Sequence, residues 1–395
     1  MRGGIIIVVL GRIFPFFLCS SLFFCIPVAN NKKILYLALH RPDRSPSQRY
    51  RIECYADYWQ QAGFELHHHA IISAQDDAIL YRPAPAWQKM LILCKMIARR
   101  TADLLAAKRY DVIIIQREAF MLGTIVFEKS LHLCTKAKII FDFDDAIWLP
   151  NVSEANKRWE FLKNPQKTAK IIALADTIVA GNRYLQQYAL QYNPNVHIIP
   201  SAIDLRQYDL QKFPPKDYNP PVVTIGWMGS ETTIPHFETI LPALEAIYRQ
   251  YGDKIRFKVV GKADFATPLL PIAAHPWTPD TEVAHINSFD IGIMPLPDDE
   301  WSKGKCAMKA LQYMAMAVPT IAQKIGANVD IIQDTHNGLL ANSQEEWIQQ
   351  LKCLIDNPSL RQQIGKAGRQ TLERSYSVQS LQQQWVNLLQ QATNA

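Results

Sequence analysis

The sequence predicts an α/β protein made of two successive parallel-sheet domains. Three observations carry this. Short apolar runs of strand length recur along the chain, among them residues 33–39 (KILYLAL), 111–116 (DVIIIQ), 138–143 (KIIFDF) and 290–294 (DIGIM). Continuous runs of this kind, without polar alternation, mark strands buried on both faces of a parallel sheet. Stretches of helical periodicity lie between them, as β-α-β units require. Residues 213–220 (FPPKDYNP) are Pro-rich and polar, which reads as a linker between two such series.

Composition agrees. A chain of 395 residues, 48% hydrophobic and 20% charged, is long enough for two domains with real cores and too apolar for disorder. The net charge of +6 is a mild basic excess. It suits phosphate-bearing ligands or an anionic membrane surface and is too diffuse for nucleic acid. The seven cysteines are odd in number and widely spaced, without a C-x-x-C pair, so free thiols in a reducing compartment are expected and a zinc site is not. Residues 1–31 stand apart. Their uncharged run 13–29, broken by Pro15 and Pro27, fits a short membrane anchor, sequence translated upstream of the true start, or a cleaved signal.

The first domain is expected over residues 32–212. After its first strand comes a polar loop, HRPDRSPSQRYR, then an amphipathic helix at 52–62 and a strand at 64–70. Ligands of parallel sheets bind at the carboxyl ends of strands, which makes Arg49 and Arg51 in that loop candidate site residues. Solvated loop arginines are the plain alternative. Residues 87–107 read as a long helix with Trp87, Met90, Leu91, Cys94, Ile97, Ala98, Leu104 and Leu105 facing the core and Lys95, Arg99 and Arg100 in water; docking on anionic lipid is a second reading. The strand 138–143 ends in Asp142, Asp144 and Asp145. An Asp-x-Asp there suits a divalent metal, hydroxyl contacts or a structural role. No second half of a metal site is visible in the sequence, so no metal is assigned. A helix is expected over about 156–175, then strand, helix and strand to residue 199.

The second domain, 221–376, opens with a strand at 222–227, a tight turn at Gly229-Ser230 and a helix near Thr233. Backbone N–H groups at such a turn suit a phosphate; a simple βα turn is the plain alternative. The strand 290–294 leads into DDEWSKGKCAMKALQYMAMAVPTIA (residues 298–322), where Lys305, Lys309 and Gln312 fall at i, i+4 and i+7, one face of a helix. That face, beside the apolar stripe of Met308, Leu311 and Ala315, suits an anionic, hydroxyl-rich ligand. Snorkelling lysines are the alternative. The last helix, within 377–395, places Leu381, Trp385, Leu388 and Leu389 on one face and is expected to pack back across the domains.

The run KCAMKALQYMAMAVPTIA resembles the donor-binding segment of family 4 glycosyltransferases. So do Asn337-Gly338-Leu339, the run LRQQIGKAGR at 360–369 and Tyr376-Ser377. The likeness extends more weakly to SQRYR, FDFDDAIW and IPSAID. It implies a GT-B fold, two Rossmann-like parallel-sheet domains facing a cleft, with the nucleotide-sugar donor on the second domain and the acceptor on the first. It further implies retaining, metal-independent hexosyl transfer, with UDP- or GDP-linked sugar as substrate and no cofactor. The expected site is then Lys305 and Lys309 as catalytic cations; Gly229, Ser230, Lys305, Lys309 and Gln312 on the donor side; and Arg49, Arg51, Asp142, Asp144 and Asp145 on the acceptor side. The sequence also departs from the family. Gly304 and Gln312 stand where its donor helix carries two glutamates, and Ser230 follows Gly229 where an arginine is usual.

The expected function is a glycosyltransferase for a surface polysaccharide or glycolipid, cytoplasmic or attached to the inner face of the membrane. A non-catalytic GT-B module that partners an active transferase, and a nucleotide-sugar epimerase or hydrolase, are the alternatives that the departures raise.

Overall fold

A computed structural model describes residues 31–149, 164 and 166–394. The apolar segment and most of the helix expected at 156–175 lie outside the described residues; of the latter, Lys167–Leu174 is helical. The first sheet contains β1 (Lys32–Ala38), β2 (Phe64–Ala70), β3 (Val112–Gln116), β4 (Lys138–Phe143), β5 (Thr177–Ala180) and β6 (Val196–Ile198), in the order β2-β1-β3-β4-β5-β6. The second contains β7 (Val223–Met228), β8 (Ile255–Val260), β9 (Ile272–His275), β10 (Ile291–Met294), β11 (Thr320–Gln323) and β12 (Leu339–Ala341), in the order β12-β11-β10-β7-β8-β9. Every pairing is parallel. These are two Rossmann-like sheets in a GT-B arrangement. The apolar runs explain them: β3 (VIIIQ) is buried along its whole length, as a strand covered by helices on both faces must be.

Strand order reverses between β1 and β3 in the first sheet and between β7 and β10 in the second. Crevices at the carboxyl ends of strands form at such reversals. The loops after β1, β3 and β4 and those after β7, β8 and β10 are therefore the segments that chemistry would use.

The chain passes from the first core to the second between Ala202 and Ile203, whose side chains lie in different hydrophobic clusters. It returns alongside: Ile203 N donates to Tyr376 O (3.0 Å) and Val378 N to Ile203 O (3.0 Å). Residues 213–220 run along the second domain, with the Tyr218 hydroxyl on Ala317 O (3.1 Å) and the Lys216 ammonium on Asn287 O (3.0 Å). The final helix, Val378–Asn394, buries Leu381, Trp385 and Leu389 with Ile34, Tyr55 and Trp59 of the first domain. The Trp59 and Trp385 ring centroids are 5.4 Å apart.

Two local expectations fail. The segment after β1 is not all loop: Pro46–Arg51 is a short helix with proline in its first turn, where a fixed φ and a missing N–H cost nothing. Arg49 and Arg51 therefore project from a fixed scaffold. The long helix, Ala86–Ala106, turns its other face inward. Ile92, Met96, Arg100 and Asp103 are buried, while Trp87, Met90, Leu91, Ile97 and Leu105 are exposed. Buried polar groups decide this. Arg100 donates to Ala119 O (2.6 Å), Ala38 O (2.8 Å) and Asp103 (2.8 Å), and Arg99 donates to Ile71 O (2.6 Å). Those carbonyls need donors, and only the face carrying the arginines supplies them.

Candidate active site

The helix Pro46–Arg51 and the end of β4 build the first wall. Arg51 is buried and its guanidinium pairs with Asp142 in β4, also donating to Ile199 O (2.6 Å). Asp142 is fully buried, and burial keeps its carboxyl above the ordinary range despite Arg51. Asp144 and Asp145 follow. The Arg117 guanidinium, just beyond β3, reaches Asp144 (2.7 Å) and Asp145 (2.5 Å), and the Ser47 hydroxyl donates to Asp144 (2.7 Å). Burial pushes the Asp144 carboxyl up, but Arg117, Arg51 and Ser47 together hold it below its usual value. All three aspartates are thus taken by cations and hydroxyls. Among the described residues no cluster of three His, Cys, Asp or Glu side chains suits a metal ion.

The second wall comes from residues 304–312. Expected as one helical face, Lys305, Lys309 and Gln312 diverge, because the helix starts only at Met308 (Met308–Ala315) after Ala307 in the left-handed region (φ 54°). The first domain grips the segment before that helix. Asn182 Nδ2 donates to Gly304 O and Lys305 O (3.1 Å each), and Cys306 Sγ donates to Asp144 O (3.2 Å). Lys305 then crosses to Asp145 (3.0 Å). Gly304 lies so close to the first domain that a Cβ on it would sit 2.7 Å from both Ala146 N and Ala146 Cβ. A glutamate at this position has no room.

Gln312 belongs to a buried network joining the domains. Its Nε2 donates to the hydroxyls of Tyr50 (2.9 Å) and Tyr208 (2.8 Å), and both hydroxyls donate onward to Glu282 Oε1 (2.8 and 2.7 Å). Trp277 Nε1 donates to the other carboxylate oxygen (2.8 Å). Arg49 completes the group, 3.6 Å from Glu282 and 5.1 Å above the Tyr50 ring. The amide nitrogen of Gln312 supplies the two donors that the hydroxyls lack, while Arg49 Nη1 is buried without a partner.

Lys309 lies apart from these pairs. Its ammonium is 5.7 Å over the Trp227 ring and has no ion pair among the described residues. Burial, with Lys305 nearby, lowers its pKa to about 8. His236 senses the same charge. Burial and then Lys309 and Lys305 lower its pKa to about 4, and its Nδ1 is buried without a partner. The turn after β7 shares this corner: Gly229 packs on Trp227, with Gly229 N on Val260 O (3.0 Å). Gly261, at φ 124°, approaches so near that any Cβ would overlap Gly229 O. Ser230 is exposed, its Oγ 2.9 Å from Thr232 Oγ1.

The fold thus brings Lys305 to Asp145, Arg51 to Asp142, and Gln312 to Arg49 through Tyr50 and Glu282. It keeps Gly229, Ser230 and Lys309 together at the second switch point. Sequence reasoning missed Tyr50, Asn182, Tyr208, His236 and Glu282. Tyr50 stands in the quoted run SQRYR and Tyr208 four residues beyond IPSAID, but nothing in their spacing marks them as partners 158 positions apart.

Residues 220–357 match the family model described as glycosyl transferases group 1. No curated protein matches the chain. Solved structures of similar fold include a glycosyltransferase from Rickettsia africae (TM-score 0.66, 14% identity, covering 92% of this chain and 99% of that one). Sucrose-phosphate synthase from Thermosynechococcus elongatus is comparable (0.65, 13%, 91% and 98%). So is HepE of Anabaena, solved in complex with UDP and glucose (0.63, 13%, 91% and 100%).

Proposed function

We propose that the protein is a glycosyltransferase that moves a hexosyl group from a nucleotide-sugar to an acceptor hydroxyl, with retention and without a metal ion. The acceptor is a growing surface polysaccharide or a glycolipid. The observation that carries this reading is Lys309. It is a half-buried ammonium without an ion pair among the described residues, at the switch point of the second sheet, beside Lys305, His236 and the turn at Gly229. Holding an uncompensated cation out of water is unfavourable unless an anion completes the site. The match of residues 220–357 to a glycosyltransferase model supports the reading, as does a similar fold crystallised with UDP and glucose.

In this proposal Lys309 faces the diphosphate, and Lys305 is shared between it and Asp145. Preorganised cations stabilise the charge that develops on the departing diphosphate. Gly229 and Ser230 approach the phosphates through their backbone, and the Gln312 network carries the sugar or ribose hydroxyls. Arg49, Asp144 and Asp145 face the acceptor; Arg51 and Asp142 hold that wall in place. UDP- and GDP-sugars titrated into the purified protein by calorimetry test the reading, followed by product analysis with and without acceptor sugars. Binding of one nucleotide and acceptor-dependent transfer are expected. No heat with any nucleotide-sugar would overturn the proposal.

A further inference from the structure

The outward face of the helix Ala86–Ala106 is unusual for a folded domain. Trp87, Met90, Leu91, Cys94, Ile97 and Leu105 follow helical spacing, and all are exposed, from 43% at Ile97 to 78% at Leu105. The neighbouring helix Val126–Cys134 adds Val126 and Leu133, also exposed. A contiguous apolar stripe of this kind on a soluble surface marks an interaction site.

The charge around the stripe is predominantly basic. Residues 81–110 contain seven Lys and Arg and one acid, Asp103, which is buried against Arg100. Residues 124–138 contain Lys129, Lys136, Lys138 and one acid, Glu128, which is buried and accepts from Ala119 N. Arg82, Lys108, Arg109, Lys129 and Lys136 are exposed. Lys108, Lys136 and Lys138 line a groove of ≈ 740 Å³ that also reaches Leu133. One carboxylate, Asp111, also lines the groove, where Lys32 pairs with it (3.4 Å), and Lys138 pairs with Asp176 (3.4 Å).

An apolar face rimmed mainly by cations matches the headgroup–acyl boundary of an anionic bilayer. We propose that this face docks the protein on an anionic membrane surface, with Trp87, Met90 and Leu91 entering the acyl boundary and the basic rim on the headgroups. No helix among the described residues is long and apolar enough to cross a membrane, so the contact is peripheral. The helix follows β2 and runs antiparallel to the strands, so its Trp87 end lies on the cleft side of the domain. Docking there would present the acceptor wall to material at the membrane. The inference stands whether or not the cleft transfers sugar.

The test is flotation of the full chain with phosphatidylcholine vesicles, with and without about 30% phosphatidylglycerol. Wild type should float with the anionic vesicles, weakly with neutral ones, and release as salt rises. Trp87→Glu with Leu91→Glu should lower the bound fraction at least tenfold at unchanged thermal midpoint, because both side chains are exposed. Lys108→Glu with Arg109→Glu should weaken binding and flatten its salt dependence. Equal flotation of wild type and the Trp87/Leu91 variant would overturn the proposal. So would the absence of vesicle binding. A concentration-dependent dimer that the same variant abolishes would also overturn it, since the face would then belong to a second copy of this chain.

Discussion

The carboxyl-terminal rims of the two sheets are built alike and charged differently. On the first, acids and cations close on each other: Asp77 holds Arg41 (2.8 Å) and Arg44 (2.7 Å), Asp142 holds Arg51, and Arg117 spans Asp144 and Asp145. On the second, Lys309 has no ion pair among the described residues and its charge acts on His236, which also has Asp299 nearby; burial lowers both pKa values. One rim closes on its own charges; the other holds a lysine without an ion pair among the described residues. In the proposed function, the difference separates a wall that keeps its shape by itself from one completed by its ligand.

Removing one cation from each rim should therefore have opposite consequences. Arg51→Ala leaves Asp142 buried and unpaired and should destabilise the fold by about 3–5 kcal/mol. The check is a lower urea midpoint at unchanged m-value. Lys309→Met in the same assay should leave the midpoint unchanged or raise it, because folding already disfavours that ammonium. A large loss of stability for Lys309→Met would erase the contrast.

The positions where the family carries glutamates sharpen the comparison from the other side. Gly304→Glu must displace Ala146 and open the contact between the domains, at a cost of about 1–3 kcal/mol from overpacking. Gln312→Glu replaces two donors with acceptors while the Tyr50 and Tyr208 protons already go to Glu282. Leaving those hydroxyls without donors should cost about 1–3 kcal/mol. Unfolding of either variant at the wild-type midpoint would rule out this close interdomain contact. Neither substitution is expected to raise transfer activity.

Much of the fold was legible because strands of parallel sheets are apolar throughout, as β3, β4 and β10 show, and such runs survive without knowledge of their neighbours. Lys305, Lys309, Asp144 and Asp145 could be named as candidates, since they come after the carboxyl ends of β10 and β4. The pairing of Gln312 with Glu282 was not, because it passes through Tyr50, 232 positions from Glu282, and local periodicity carries no such information. Nor was the orientation of the helix Ala86–Ala106. Both of its faces carry apolar residues, and the carbonyls of Ala38, Ile71 and Ala119 that Arg99 and Arg100 satisfy come from other segments. Periodicity found the stripe and said nothing about which side faced water. Ala307 taught a similar lesson: one left-handed residue sent Lys305 and Gln312 to different partners although their spacing suited one face.

For the open rim itself, Lys309→Ala should weaken nucleotide binding at least tenfold, ~1.4 kcal/mol, by calorimetry. Arg117→Lys is the matching change on the first rim. It keeps the charge on Asp144 and Asp145 and should alter nucleotide affinity by less than about threefold, under 1 kcal/mol.

The smallest expected effect is the dependence of nucleotide affinity on pH, and it bears most directly on Lys309. In the free protein its pKa is about 8, below the ordinary lysine value. The unfolded chain keeps its proton to higher pH, so the free protein gains stability from this group as pH rises past about 8. A bound diphosphate favours the charged form and returns the pKa upward. Below pH 8 the ammonium is already present and affinity should be flat. Above it, binding must take up a proton, and affinity should fall by up to about tenfold per pH unit until the bound-state pKa is reached. The ligand adds little to this slope, because a terminal phosphate completes its second ionisation near pH ~6. Calorimetry at pH 8.5 in two buffers of different ionisation enthalpy counts the protons directly. Wild type should take up a substantial fraction of one proton, and Lys309→Met none. Equal uptake by both proteins would place the titrating group elsewhere on the rim and remove Lys309 from contact with the phosphates.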